Sequence, residues 1–134
     1  MVDWNYQFNI DADINSRVIF SKIFGVWRED TAKNYHEAFK EEAVDLIDKP
    51  WVKLVDLMNW KMGTPEVVDR IADHIKWCRQ NNMEFQIFVV SDPMRFAQLK
   101  KMLKKGAAKD ITFTFKSRTE ALQYLREKGY EIES

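Results

Sequence analysis

The stretch "LVDLMNWKMGTPEVVD", Leu54 to Asp69, contains the junction that decides how this chain is read. Leu54 to Met58 is a strand-like apolar run interrupted by one acid, Asp56, and a short loop follows it. Thr64-Pro65 then carries the signature of a helix start: an N-cap residue before a proline, whose missing N–H costs nothing at the first helical position. A strand that gives way to a helix within a few residues is the repeating unit of an α/β fold. The same punctuation returns at Asp92-Pro93 after the strand-like "EFQIFVVS". It returns again at "SRTE", Ser117 to Glu120, where a capping box follows the short strand "ITFTF".

Working outward, strand three begins at Trp51 with "WVKLVDLM", and helix two buries Val68, Ile71, Ile75 and Cys78 at helical spacing. Helix three turns Phe96, Leu99 and Leu103 inward and stops at Gly106, and helix four ends near Gly129. Upstream, "WNYQFNI" sets Trp4, Tyr6, Phe8 and Ile10 on one face, the period-two pattern of a half-buried first strand. "DADINS" reads as the turn of an antiparallel hairpin whose second strand is "RVIFSKIFG". From Asp30 the period changes, and Ala32, Tyr35, Phe39, Ala43 and Leu46 predict helix one to about Ile47. The expected fold is therefore α/β, a five-stranded mostly parallel sheet with an antiparallel N-terminal hairpin and four helices. Thr112 and Thr114, alternating with Ile111, Phe113 and Phe115, and the polar side of strand one lead us to expect a less covered sheet face with Phe88 or Val90 nearby.

Composition bounds the function classes. The 134 residues suit one domain, and 21 basic against 21 acidic side chains leave no net charge to draw the molecule to nucleic acid or an anionic membrane. A single cysteine allows no internal disulfide. No signal-peptide pattern is visible in "MVDWNYQF" and no apolar run could span a bilayer, so a cytoplasmic protein is expected. Charge is unevenly placed. Glu29 to Asp48 holds seven acids against Lys33 and Lys40, whereas Arg95 to Arg118 holds eight bases against Asp110, so the molecule is expected to be bipolar.

The element order, hairpin first and four strand-helix units in all, resembles the STAS domains of bacterial anti-sigma-factor antagonists over nearly the whole chain, residues 1–134. "FGVWREDTAKNY", "LVDLMNW" followed by "GTPE", and the terminal "SRTEALQYL" are most similar to the SpoIIAA-like branch of small free-standing proteins. The resemblance implies a βα superhelix with its helices mainly on one face, no enzymatic activity, no cofactor, and a regulatory role exercised through a protein partner. In phospho-regulated members a serine or threonine at the start of helix two, in an Asp-Ser-Ser/Thr-Gly-like motif, takes the phosphate. Here the stretch reads "NWKMGTPE"; the motif is missing and only Thr64 occupies a comparable place, where an ordinary N-cap is the simpler role.

Ligands of open α/β sheets gather beyond the C-terminal ends of the strands. There the sequence places Trp27, Asp56, Asn59, Trp60, Ser91 and Lys116. The two tryptophans can line a pocket for an apolar or planar molecule, or they can close the end of the core. Asp56, Ser91 and Lys116 resemble the phosphoacceptor set of response-regulator receiver domains, but the acidic pair that would hold Mg²⁺ is replaced by Phe24-Gly25-Val26. His74 and Cys78 stand four apart on helix two, and the other histidine, His36, is expected on another helix without a Cys or His neighbour, so the third ligand a zinc site needs is missing and no metal is expected. The expected function is a non-enzymatic regulatory module binding a protein partner through helices one and two and the loop before helix two. The alternatives are a sensor or carrier of a small apolar ligand at the Trp27 and Trp60 edge, and, more distantly, a phosphoacceptor. Self-association as a homodimer is expected through the less covered sheet face or through opposite helix charges.

Overall fold

The computed structural model describes residues 7–132, apart from the side chain of Met62. The expected start of strand one at Trp4 and Tyr6 lies outside the described residues. The sheet has the order β1-β2-β3-β4-β5. β1 (Phe8–Asp13) is antiparallel to β2 (Val18–Trp27), and β3 (Trp51–Gly63), β4 (Met83–Val89) and β5 (Thr112–Phe115) continue the sheet in parallel. The helices are α1 (Glu29–Ala43), α2 (Pro65–Gln80), α3 (Pro93–Lys105) and α4 (Arg118–Glu127).

Several boundaries differ from the sequence reading, each for a local reason. "DADINS" is only half a turn: Asp11, Ala12 and Asp13 pair with Phe20, Ile19 and Val18, and the reversal falls on 14–17, closed by Arg17 at φ 61°. The side chain of Asp13 accepts from the Ser16 N–H at 3.1 Å, so the turn-forming residue serves the hairpin from inside the strand. Helix one ends at Ala43, not Ile47; Leu46 stays in the core through a following turn. β3 runs to Gly63, five residues past Met58, and leaves almost no loop before α2.

The long β3 is possible because it bulges twice. Lys22 and Phe24 face Asp56 and Asn59, and Gly25 and Trp27 face Trp60 and Gly63, so β3 spends one extra residue at each step. Without the first bulge, alternation from Val55 and Leu57 would turn Asn59 inward and Trp60 out; with it, Trp60 joins the core and Asn59 is exposed.

Two cores of unequal size flank the sheet. The larger lies under α1, α2 and α3 and takes Ile19, Ile23, Trp51, Val55, Leu57 and Phe88 from the strands. The smaller lies under α4, where Val52, Leu54, Ile87 and Val89 meet Ala121, Leu122 and Leu125. The helices are thus mainly on one face. The expectation about the less covered face needs correction: Thr112 sits with Gln86 on the three-helix side, bonding it at 2.9 Å, while Phe113 and Phe115 turn to Tyr124 of α4. Phe88 and Val90 are buried rather than neighbours of an open patch. The open part of the sheet is the β1-β2 half of the α4 side, a polar groove of about 650 Å³ bordered by Asn9, Asp11, Lys22, Asp56 and Arg118.

Candidate functional site

The residues singled out at the strand ends separate into two groups. Trp27 and Trp60 are in the core, 1% and 2% exposed. Trp27 donates its Nε1–H to the carbonyls of Gln7 and Phe24 at 3.2 and 3.1 Å, and Phe8 and Tyr35 pack on its ring. With Ile23, Leu57, Ile71, Phe88 and Met102 the two indoles enclose a void of about 20 Å³, room for one water-sized body and no ligand.

The other group is polar and stays on the surface or near it. Asp56 is buried on the α4 side, where its Oδ1 accepts from the Met58 N–H at 2.9 Å, a bond the first β3 bulge makes available. Asn59 and Lys116 are exposed. The Ser91 hydroxyl meets the Met58 sulfur at 3.7 Å rather than Asp56. No hydrogen bond among the described residues joins Asp56, Ser91 and Lys116, so the receiver-like trio is not assembled.

Thr64 occupies the N-cap of α2 in extended geometry, yet its side chain makes no capping bond. Its hydroxyl is left on the surface, because Thr64 and its neighbours Pro65 and Glu66 are all exposed. The junction is instead fixed from behind by Gln98 of α3, whose amide donates to the Gly63 carbonyl at 2.9 Å and accepts from the Gly63 N–H at 3.2 Å. Gly63, Pro65, Val68, Lys101 and Lys105 line a shallow cleft of about 300 Å³ beside it. The cationic side chains there and the N-terminal end of α2 both favour negative charge.

A further constellation was missed by sequence reasoning. Lys53 lies 1% exposed in the middle of β3, with no carboxylate beside it among the described residues. Its Nζ lies 3.8 Å from the Cys78 sulfur and within 6 Å of the Phe39 and Phe88 rings. Cys78 in turn meets His74 Nε2 at 3.4 Å, and His74 Nδ1 meets His36 Nδ1 at 2.8 Å, where one ring must donate and the other accept. A polar chain thus runs from the α1-α2 cleft at His36 to the underside of the sheet. Burial lowers the pKa of Lys53 and carries His74 well below 6.5, and it lowers His36 with help from Lys40. Burial also pushes the Cys78 thiol up to about 11, so it is a protonated core group and not a nucleophile at neutral pH. His74 turns different nitrogens to Cys78 and His36, which prevents the three from converging on one metal ion. The signal was present: in "WVKLV" Lys53 shares its face with Trp51 and Val55, two core positions.

No protein-family model matches the sequence, and no curated protein matches it. Solved structures do. An uncharacterized protein of the DUF3478 family with a SpoIIAA-like fold, from Shewanella loihica PV-4, superposes with a TM-score of 0.60 at 12% identity, covering 88% of this chain and 91% of that one. The phosphorylated form of the Bacillus cell-fate determinant SpoIIAA gives 0.60 at 8% identity, covering 89% and 99%. An anti-sigma factor antagonist from Mycobacterium paratuberculosis gives 0.57 at 12%, covering 90% and 95%. The fold is therefore SpoIIAA-like, of the STAS type. At these identities the likeness is one of architecture.

Proposed function

We propose that this chain is a non-enzymatic regulatory module that docks on a protein partner through α1, α2 and the β3-α2 junction. One observation carries the reading: the sheet edge where α/β folds take small ligands is filled by the protein's own Trp27 and Trp60, while Asn59, Lys61 and Thr64 to Glu66 of the adjoining junction are exposed. The likeness to anti-sigma factor antagonists supports it. A photo-crosslinking side chain at Lys61 tests it, with one at Gln123 on α4 as the control, both exposed. The expected outcome is one protein captured in cells from Lys61 and absent from Gln123; capture from both positions alike, or from neither, rejects the docking surface. The rival reading, an apolar-ligand sensor, requires the two indoles to part, and a small molecule retained in native mass spectrometry and lost in Trp60→Ala would favour it.

A specific observation supports a phospho-switch at Thr64 as a second reading. Its hydroxyl is exposed and makes no cap bond, and Lys101 and Lys105 line the adjoining cleft. Glu66 opposes it through like-charge repulsion. Thr64→Glu is expected to stay folded and release a partner that Thr64→Ala retains; equal retention by both removes this reading.

A further inference from the structure

We propose that copies of this chain associate head to tail, the outward face of α1 on one molecule docking on the outward face of α3 on the next. The occupant of each face is a second copy, and the inference does not depend on the partner reading above. It rests first on charge. α2 packs against both α1 and α3 and separates them, so the acidic helix and the basic helix face away from each other at opposite sides of one layer. On α1, Glu37 is tied to Lys40 at 3.1 Å, but the exposed Glu41, and Asp45 in the turn just after the helix, form no ion pair among the described residues. On α3, Lys105 is held by Asp69 at 2.6 Å, whereas Lys101 and Lys104 are exposed and form none.

The second argument is spacing. Glu37 and Glu41 of α1 and Val44, its helical C-cap residue, form one stripe, and Met94, Ala97 and Lys101 form one on α3 with the same steps of three and four residues. Among the described residues Val44 and Met94 are the large apolar side chains most open to solvent, 62% and 68% exposed. In an antiparallel pairing Val44 falls beside Met94, Glu37 falls opposite Lys101 and exchanges its exposed contact with Lys40 for it, and Glu41 meets the small Ala97 within one turn of Lys101. That orientation also brings the negative C-terminal end of α1 to the positive N-terminal end of α3. A formal net charge of zero leaves no overall repulsion to oppose the contact.

Because the two faces differ, each docked copy still offers both, and association is open-ended rather than closing at a dimer. Its strength must fall with salt, since the Debye length shrinks from about 30 Å at 0.01 M to about 3 Å at 1 M. Sedimentation of the full chain at these two ionic strengths tests it, together with the reversals Glu37→Lys/Glu41→Lys and Lys101→Glu/Lys104→Glu, whose folding is checked by circular dichroism. At low salt and high concentration the wild-type average mass is expected to reach at least about twice the 16.0 kDa of the monomer and to rise further with concentration, falling to the monomer at 1 M. Each reversed variant alone is expected to be monomeric, and mixing the two restores association, because each then supplies the face complementary to the other. A wild-type monomer at low salt, association indifferent to salt or to the reversals, or failure of the mixture to associate overturns the proposal.

Discussion

Lys53 enters the core because its neighbours fix the face it occupies: Trp51 and Val55, two residues either side, are both fully buried on the three-helix side. It is held there by a thiol and two aromatic rings, weak compensation for losing water around an amine. Lys53→Met keeps the volume and removes the polar head, and is expected to raise stability by about 1–3 kcal/mol, the scale of an incompletely satisfied buried polar group. Urea denaturation measures it; a loss of stability would show that the Cys78 contact outweighs desolvation. The histidines give a pH signature. His74 and His36 have folded pKa values below 6.5, so as pH falls through 6.5 the unfolded chain takes up protons that the folded chain refuses. The histidine contribution to stability is therefore complete above that pH and declines below it, by up to about 1.4 kcal/mol per pH unit for the buried His74. Asp92 and Asp110 titrate below 3.8 and Cys78 above 9.0, outside the window between pH 6.5 and 5 in which the histidines take up protons. His74→Phe is expected to flatten the decline between pH 7 and 5; an unchanged slope would assign it elsewhere.

At the scale of elements, the three N-caps look equivalent in sequence and are not. Asp92 accepts from the N–H groups of Met94 and Arg95 at 2.8 and 3.0 Å, and Ser117 accepts from Glu120 at 3.2 Å, whereas Thr64 accepts from none. Asp92→Ala and Ser117→Ala are expected to cost about 1 kcal/mol each, and Thr64→Ala only a few tenths. A Thr64→Ala loss as large as the other two in thermal denaturation would contradict this order. Helix starts were legible because Pro65, Pro93 and Ser117 act locally on the backbone of the first turn, although of the "SRTE" box only the Ser117 half forms. The true length of β3 was not, because its two bulges depend on pairing with β2, thirty residues or more away, and nothing within "MNWKMG" announces an extra residue. That one hidden feature also decided the candidate site, since it turned Trp60 into the core and left Asn59 outside.

At the scale of the molecule, strand order and direction followed from the alternation of strands and helices, but which face each strand turned to which helix did not. Thr112 and Thr114 were grouped with the polar side of strand one by their character alone, and only the register with Gln86 and Phe88 shows that they lie on the opposite face. The consequence is a molecule with two cores of different robustness. Three helices close the larger one, while a single helix, α4, with Tyr130 and Ile132 just after it, covers Val52, Leu54, Ile87 and Val89 and leaves the β1-β2 groove beside it open. An element that packs on few neighbours opens at lower free energy than the global transition. Hydrogen exchange is therefore expected to show the amides of α4 exchanging ahead of those of α2, whose residues Val67, Ile75 and Cys78 are fully buried between α1, α3 and the sheet. Leu125→Ala removes the fully buried anchor of α4 and is expected to cost about 2–5 kcal/mol. Because α4 carries that anchor, the loss should appear first as faster exchange in α4 and along the β4-β5 pairing, while α2 keeps its protection up to the global limit. Equal protection of α2 and α4 in the wild type, or a uniform drop across both in Leu125→Ala, would mean instead that the two cores melt as one cooperative unit.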